Sequence, residues 1–179
     1  MENQMESWQK RIERLMAIQR EIARTPQGGL WRSPQPPLPG VDEAELRGIE
    51  AALGSPLPRE LRTFYGLVGG WAPFRGDIDI LCPAELIAGP RYERATELAR
   101  ATEEGFVHSG VGRDDLVVFG VSDTEHDLYT VAIKGPHEGH VFWHAGYEIE
   151  RFADFDTFFD AMIAYEEQRL ARMRTGAPG

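Results

Sequence analysis

The first segment of the chain has the apolar spacing of an amphipathic helix. Its apolar residues stand three or four positions apart: Met5, Trp8, Ile12, Leu15, Ile18 and Ile22. This spacing gives a helix over residues 1–24 a single apolar stripe. Gln19 occupies a position where a coiled-coil seam needs an apolar side chain. The pattern therefore favours docking on the same chain, and it leaves open pairing with a second copy.

A proline-rich linker over residues 25–40 separates this helix from the rest of the chain. Trp31 is expected to pin the linker to the domain surface. Two short helices follow, the first capped at its start by Asp42. Gly54 ends the first helix, and Gly69 is predicted to end the second in the left-handed conformation.

Further along the chain the apolar period changes to two, which indicates β-strands. The segments DIDILC, LVVFGVS, DLYTVAI, HVFWHA and EIERF read as strands, with a broken helical stretch after the first and APFRGD as a turn before it. Short turns join neighbouring antiparallel strands. A last helix starts after its cap, Asp154. The prediction is an α+β domain over residues 41–174, in which an antiparallel sheet of about four to six strands is covered on one face by helices, with residues 175–179 as a disordered tail.

The charge of the chain is concentrated in one region. The 179 residues carry a net charge of −10, and residues 77–160 hold eighteen acidic side chains against six basic ones. Such a region repels nucleic acid and attracts a basic partner. The charged N-terminus differs from a secretory signal, and the apolar runs are too short to cross a bilayer. We therefore expect a cytoplasmic protein that uses neither nucleic acid nor membrane, and the single Cys82 excludes an internal disulfide.

No motif in the sequence predicts a cofactor or a metal centre. Phosphate loops and nucleophile elbows are absent. His140 and His144 lie four positions apart on a predicted strand, about 14 Å from each other, too far to bind one ion. We expect these histidines, with His137, on an exposed sheet face or turn. The turn DTEHD at residues 123–127 leaves a cation-binding or acid–base role open, although turn propensity alone explains its composition.

The candidate binding residues combine the acidic turns with three aromatic residues that the pattern puts in loops. Exposed aromatic side chains among acids are typical anchors of protein interfaces. The candidate set is Trp71, Phe74, Asp77, Asp79, Asp114, Asp115, Asp123, Glu125, His126, Asp127 and Tyr147.

Two stretches of the chain resemble the SUKH superfamily, which includes cell-wall synthesis regulators and bacterial toxin-immunity proteins. The first stretch, residues 41–71, is similar to the family's acidic helix, Leu-Gly-x-x-Leu-Pro segment and Gly-Gly ending, through Leu53-Gly54, Leu57-Pro58 and Gly69-Gly70. The second stretch, residues 140–163, is similar to its Val-Tyr-x-Trp strand and the Ala-Asp-Ser-Phe helix that follows. In the middle, only Asp127 matches the family's Gly-Gly-Asp turn.

The resemblance implies a non-enzymatic binding domain without a cofactor, whose sheet and loops hold another protein. The leading hypothesis is an immunity protein for a toxin, often a basic nuclease. The alternatives are a regulatory scaffold that forms a homodimer through helix 1–24, and an enzyme that uses the turn at residues 123–127.

Overall fold

The computed structural model of the protein describes residues 2–26 and 32–175, with side chains described from residue 5. Trp31 and residues 176–179 lie outside these ranges, so the expectations placed on them stay predictions. The elements are α1 Glu2–Arg24, α2 Glu43–Leu53, α3 Arg59–Tyr65, β1 Trp71–Arg75, β2 Ile78–Ile80, α4 Pro90–Ala101, α5 Glu103–His108, β3 Leu116–Ser122, β4 Asp127–Ala132, β5 Val141–Ala145, β6 Glu148–Phe152 and α6 Phe155–Thr175.

The six strands form one antiparallel sheet in the order β1-β2-β3-β4-β5-β6. The predicted α+β class is confirmed, and β3 to β6 lie where the period-two pattern put them. The predicted turn before the first strand is wrong, because most of that segment forms β1. Pro73 is compatible with this strand since β1 is an edge strand, where a residue without an N–H is tolerated.

One face of the sheet packs against α6, with α1 and α3 completing the layer. Tyr129 and Trp143 are register partners and share this face, and the Tyr129 hydroxyl approaches the Met162 sulfur of α6 at 3.5 Å. Phe119 also packs its ring against Phe158 of α6. The main aromatic core therefore lies between β1–β4 and α6.

Helices also cover part of the opposite face, where the sequence predicted helices on one face alone. Leu128 and His144 are register partners on this second face, and the His144 ring packs against Phe106 of α5 at 4.8 Å. α4 packs against β3 and β4. The weak apolar stripe of α4 and α5 gave little indication that they cover a sheet. The buried residues of α4 are few, and two of them are small: Ala95, Leu98 and Ala99.

α1 docks on its own domain. Its stripe residues Trp8, Ile12, Leu15, Ile18 and Ile22 are all buried in the core. The Trp8 ring lies 5.1 Å from that of Phe159, and Gln19 donates a hydrogen bond from its side-chain amide to the carbonyl oxygen of Phe74 in β1. The polar residue within the stripe is therefore explained by a specific bond to the edge strand.

Glycines at two helix ends act differently from each other. Gly54 ends α2 in the left-handed conformation, with φ of 69°, as predicted. The predicted cap at Gly69 is wrong, since α3 already ends at Tyr65. A Cβ at Gly69 would lie 2.2 Å from the carbonyl oxygen of Pro39, so this glycine permits the linker backbone to approach closely.

None of the helices in the described ranges combines the length and apolar character that a bilayer crossing requires.

Candidate protein-binding surface

The topology gathers three turns at one end of the sheet, which we call the turn end. It comprises the β1–β2 turn at residues 76–77, the β3–β4 turn at 123–126 and the β5–β6 turn at 146–147. Asp77, Asp123, Glu125, His126 and Tyr147 lie in these turns. Asp127 begins β4 and pairs with Ala145, directly before the β5–β6 turn. The structure therefore brings six of the predicted residues to one end.

Asp77 is held rigidly between two turns. Its side chain accepts hydrogen bonds from the hydroxyl groups of Ser122 and Thr124, the latter at 2.6 Å. Partial burial opposes ionisation, but these hydrogen bonds outweigh it, so the pKa of Asp77 is lowered from its ordinary value. The carboxylate is thus charged and preorganised at neutral pH.

The other side chains of the turn end differ in how firmly they are held. The Asp127 carboxylate accepts a hydrogen bond from the indole N–H of Trp143. Asp123 forms an ion pair with Arg32 of the linker at 3.2 Å. Glu125 and His126 are exposed, and no hydrogen bond or ion pair of their side chains occurs among the described residues. Glu125 is therefore the acidic side chain of this end that is most available to a partner.

Asp79 lies in the sheet interior, although the sequence predicted it for the binding surface. It is fully buried and pairs with Arg91 at 2.7 Å and with Arg32 at 2.9 Å. Burial is the largest effect on its pKa, which is raised in spite of the two guanidinium groups. Asp79 ties α4 and the linker to β2, and its side chain is inaccessible to a partner.

Trp71 and Phe74 were predicted in exposed loops, and this placement is wrong. Both belong to β1 and are 1% exposed. Their rings pack against each other at 5.5 Å, and Phe74 packs against Phe158 of α6. Both are core residues because β1 is a strand whose register shifts between Trp71 and Arg75, and this irregularity lets two side chains three positions apart pack against each other.

Asp114 and Asp115 lie at the opposite end of the sheet. They occupy a 3-10 turn, Arg113–Asp115, that leads into β3. The carbonyl oxygen of Asp115 accepts a hydrogen bond from the Ile133 N–H, just after β4. A partner that binds only at the turn end therefore does not reach these two aspartates.

The histidines lie at both ends of β5. His144 is buried, where the sequence placed it on an exposed face, and its Nε2 lies 3.0 Å from the hydroxyl of Ser109, the residue that follows α5. Burial lowers the pKa of His144 to about 4. His137 and His140 are half-buried at the other end of β5. Within residues 2–26 and 32–175, no three His, Cys, Asp or Glu side chains converge as metal ligands would.

A groove of about 360 Å³ runs beside the turn end and is lined partly by Asp77, Glu125 and Asp127. Its floor contains an ionic cluster that sequence reasoning missed. Buried Glu166 of α6 pairs with Arg75 of β1 at 3.3 Å, and the Arg75 guanidinium lies 4.8 Å from the centre of the Trp143 ring. No local pattern could reveal this cluster, because its members are widely separated in the chain.

Sequence reasoning also missed two exposed apolar residues, one on α5 and one on β6. Val107 on α5 and Ile149 on β6 are exposed, as is Tyr147 itself. In the sequence, Ile149 stands alone between Glu148 and Glu150. An apolar residue isolated between two acids on a predicted strand was the available signal.

Most of the chain matches the model of a known protein family. A model of the SMI1 / KNR4 family (SUKH-1) matches residues 40–161. The match begins just before α2 and extends into the first half of α6, so α1 lies outside it. No curated protein matches the chain.

Proposed function

This chain belongs to the SMI1 / KNR4 family (SUKH-1), and from that premise we propose that it is an immunity protein. It binds a basic toxin, such as a nuclease, through the turn end of its sheet, and it transforms no substrate. We place its action in the cytoplasm. The family match supports a protein-binding role of this general kind, and the choice of toxin class comes from charge.

One observation carries the proposal: two of the acids at the turn end are fixed before a partner arrives. Asp77 and Asp127 are held by hydrogen bonds, and exposed Glu125 lies between them in the chain. Residues 77–160 carry twelve more acidic than basic side chains, although Asp79 among them is buried. Exposed acids such as Glu125 accelerate association with a basic protein and resemble the phosphates that a nuclease binds.

Preorganisation explains how such a surface inhibits without chemistry. Rigid side chains lose little conformational entropy on binding, so more of the interaction free energy is available as affinity. A toxin whose basic active site is covered by this surface is excluded from its nucleic acid. Asp79 contributes indirectly, since it anchors the linker residue Arg32, which also pairs with Asp123.

The sequence also left open a homodimer that forms through α1. The apolar stripe of α1 is buried against α3, α6 and β1, which leaves it little apolar surface to offer a second copy. We therefore expect light scattering of the purified protein to give the mass of a monomer.

The test is co-expression with the protein encoded by the adjacent gene, followed by co-purification and a growth assay. The expected result is that the neighbour is basic, arrests growth when expressed alone, and co-purifies with this chain in a harmless complex. A neighbour that is harmless alone, or that fails to bind, contradicts the proposal.

A matched pair of variants tests the surface itself. Glu125→Lys reverses a charge at the turn end, and Glu138→Lys makes the same change at the opposite end, where Glu138 is exposed. At low salt we expect Glu125→Lys to slow association at least about tenfold while Glu138→Lys changes it much less. Equal slowing by both variants would indicate a general effect of net charge and contradict binding at the turn end.

A further inference from the structure

A cavity of about 320 Å³ lies where α4 packs against the first half of β3. Residues of α2, α5 and the 3-10 turns Pro83–Leu86 and Arg113–Asp115 complete its wall. Sites for small molecules in proteins have volumes of about 300–1,000 Å³. The cavity is therefore large enough for a ligand at the small end of this range.

Most of the cavity wall is apolar. Among the lining residues, Leu86, Phe106 and Val117 are buried, whereas Ala52 and Tyr92 are exposed. The cavity thus extends from the surface of the protein into its apolar interior. Such a wall favours a ligand with an apolar part, because removing apolar surface from water lowers the free energy.

Four polar side chains line the same cavity: Tyr92, Thr96, Arg113 and Asp114. None of the four makes a side-chain hydrogen bond or ion pair with another residue of the described ranges. Thr96 and Arg113 are half-buried, so they are partly withdrawn from water. Polar groups away from water are normally paired, and a ligand in the cavity would supply the partners that these two side chains lack.

The charges in the wall determine which polar group the ligand carries. The Arg113 guanidinium is always ionised, and a carboxylate can accept two parallel hydrogen bonds from it. Asp114 is exposed and therefore hydrated, and its charge disfavours a second negative charge on the ligand. The wall is thus complementary to a single carboxylate rather than to a phosphate, which carries up to two charges.

The surface around the cavity suits a small molecule better than a protein partner. A stable protein interface buries about 800 Å² on each partner and has an apolar centre. Of the six large apolar side chains that are exposed among the described residues, Tyr92 alone lines the cavity. An apolar centre for a protein contact is therefore missing at its mouth.

We propose that this cavity binds a small monocarboxylate with an apolar chain or ring. The apolar part lies against Phe106 and Val117, and the carboxylate pairs with Arg113. The hydroxyl groups of Tyr92 and Thr96 are further donors for the carboxylate oxygens. This ligand site is independent of the proposed toxin binding, because no residue of the turn end lines the cavity.

The test is a titration of the isotope-labelled full chain with octanoate and, separately, with phenylbutyrate, followed by the amide chemical shifts. We expect saturable shifts in residues 86–99 and 113–118, with a Kd of about 1 mM or lower for the better of the two. Octanol has the same chain length without the carboxylate and should bind at least about fivefold more weakly than octanoate.

A matched pair of variants tests the role of Arg113. Arg113→Gln removes the positive charge of the cavity, and Arg100→Gln makes the same change at an exposed position of α4 that does not line it. We expect Arg113→Gln to weaken octanoate about tenfold and octanol less than about twofold. Arg100→Gln should change neither by more than about twofold, and circular dichroism checks that both variants keep the fold.

Three results would overturn the proposal. The first is the absence of saturable shifts with both carboxylates up to about 10 mM. The second is octanol binding as tightly as octanoate, and the third is equal weakening by Arg113→Gln and Arg100→Gln, since each would show that Arg113 does not recognise a carboxylate. The co-expression test of toxin binding uses neither probe, so failure of one proposal leaves the other standing.

Discussion

The two edges of the sheet are finished in opposite ways. At β1, Gln19 of α1 bonds to the Phe74 carbonyl, and the Leu38 N–H donates to the carbonyl oxygen of Gly70, next to the strand. At β6, Tyr147 and Ile149 remain exposed. An open edge invites association with other chains unless it is covered or charged.

The two edges also differ in their relation to the family match. α1, which covers the β1 edge, lies outside the stretch matched by the family model, whereas β6 lies inside it. The helix outside the matched stretch covers one edge, while side chains at the other edge stay exposed.

The largest effect is expected where α1 enters the core. Trp8 is 1% exposed and contacts Phe64, Phe155 and Phe159. Trp8→Ala should lower the free energy of unfolding by about 3–5 kcal/mol, because it leaves a large cavity. Denaturant titration measures this, with Met5→Ala at an exposed position of the same helix as the control. Equal stabilities for the two variants would mean that α1 is not part of the folded core.

At the β6 side, stability should depend on pH through His144. Its folded pKa of about 4 lies below the ordinary value of about 6.5. Between pH 7 and 5 the unfolded chain binds a proton that the folded chain does not, so the free energy of unfolding falls as the pH falls, by about 2 kcal/mol. Denaturant titrations at several pH values measure the slope.

His144→Gln supplies the control for this slope, since glutamine keeps a polar partner for Ser109 and does not titrate. The variant should lose about 2 kcal/mol less than the unchanged chain between pH 7 and 5. Parallel curves would show that His144 is protonated in the folded state or accessible to water.

A smaller loss of stability is expected at the hydrogen bond by which α1 contacts the β1 edge. Gln19→Ala leaves the buried carbonyl oxygen of Phe74 without its donor, which should cost about 1–2 kcal/mol of stability. Gln9→Ala changes the same side chain on the exposed face of α1 and should cost much less. If both variants are equally stable, the hydrogen bond from Gln19 to β1 contributes little to the docking of α1.

The smallest effect on stability is expected at the open edge. Tyr147→Ala removes a side chain that is exposed in the β5–β6 turn, so the free energy of unfolding should change by less than about 0.5 kcal/mol. Thermal melting followed by circular dichroism measures this. A loss comparable to that of Gln19→Ala would show that Tyr147 supports the fold rather than a partner contact.

Local patterns predicted the elements better than the surfaces. The stripe of α1 and the alternation of β3 to β6 appear directly in the sequence, since each element must present one apolar side to the core. Asp42 and Asp154 accept hydrogen bonds from the N–H groups of Glu45 and Thr157, which confirms both predicted caps. These features depend on residues a few positions apart.

Features that depend on distant contacts were predicted poorly. Because of Pro73 and Gly76, most of the β1 segment was predicted to be a turn. Trp71 and Phe74 were therefore expected to be exposed, although both are core residues. Asp79 was correctly predicted to lie in a strand. Its burial depends on ion pairs with Arg32 and Arg91, which no local pattern connects to it.

Hydrogen exchange of the complex with the adjacent-gene product tests the contrast between the edges most directly. Bound partner should slow amide exchange in residues 146–152, and leave residues 71–75 of β1 unchanged, since α1 and the linker already cover that edge. Slowed exchange at β1 with no change at β6 would contradict the account.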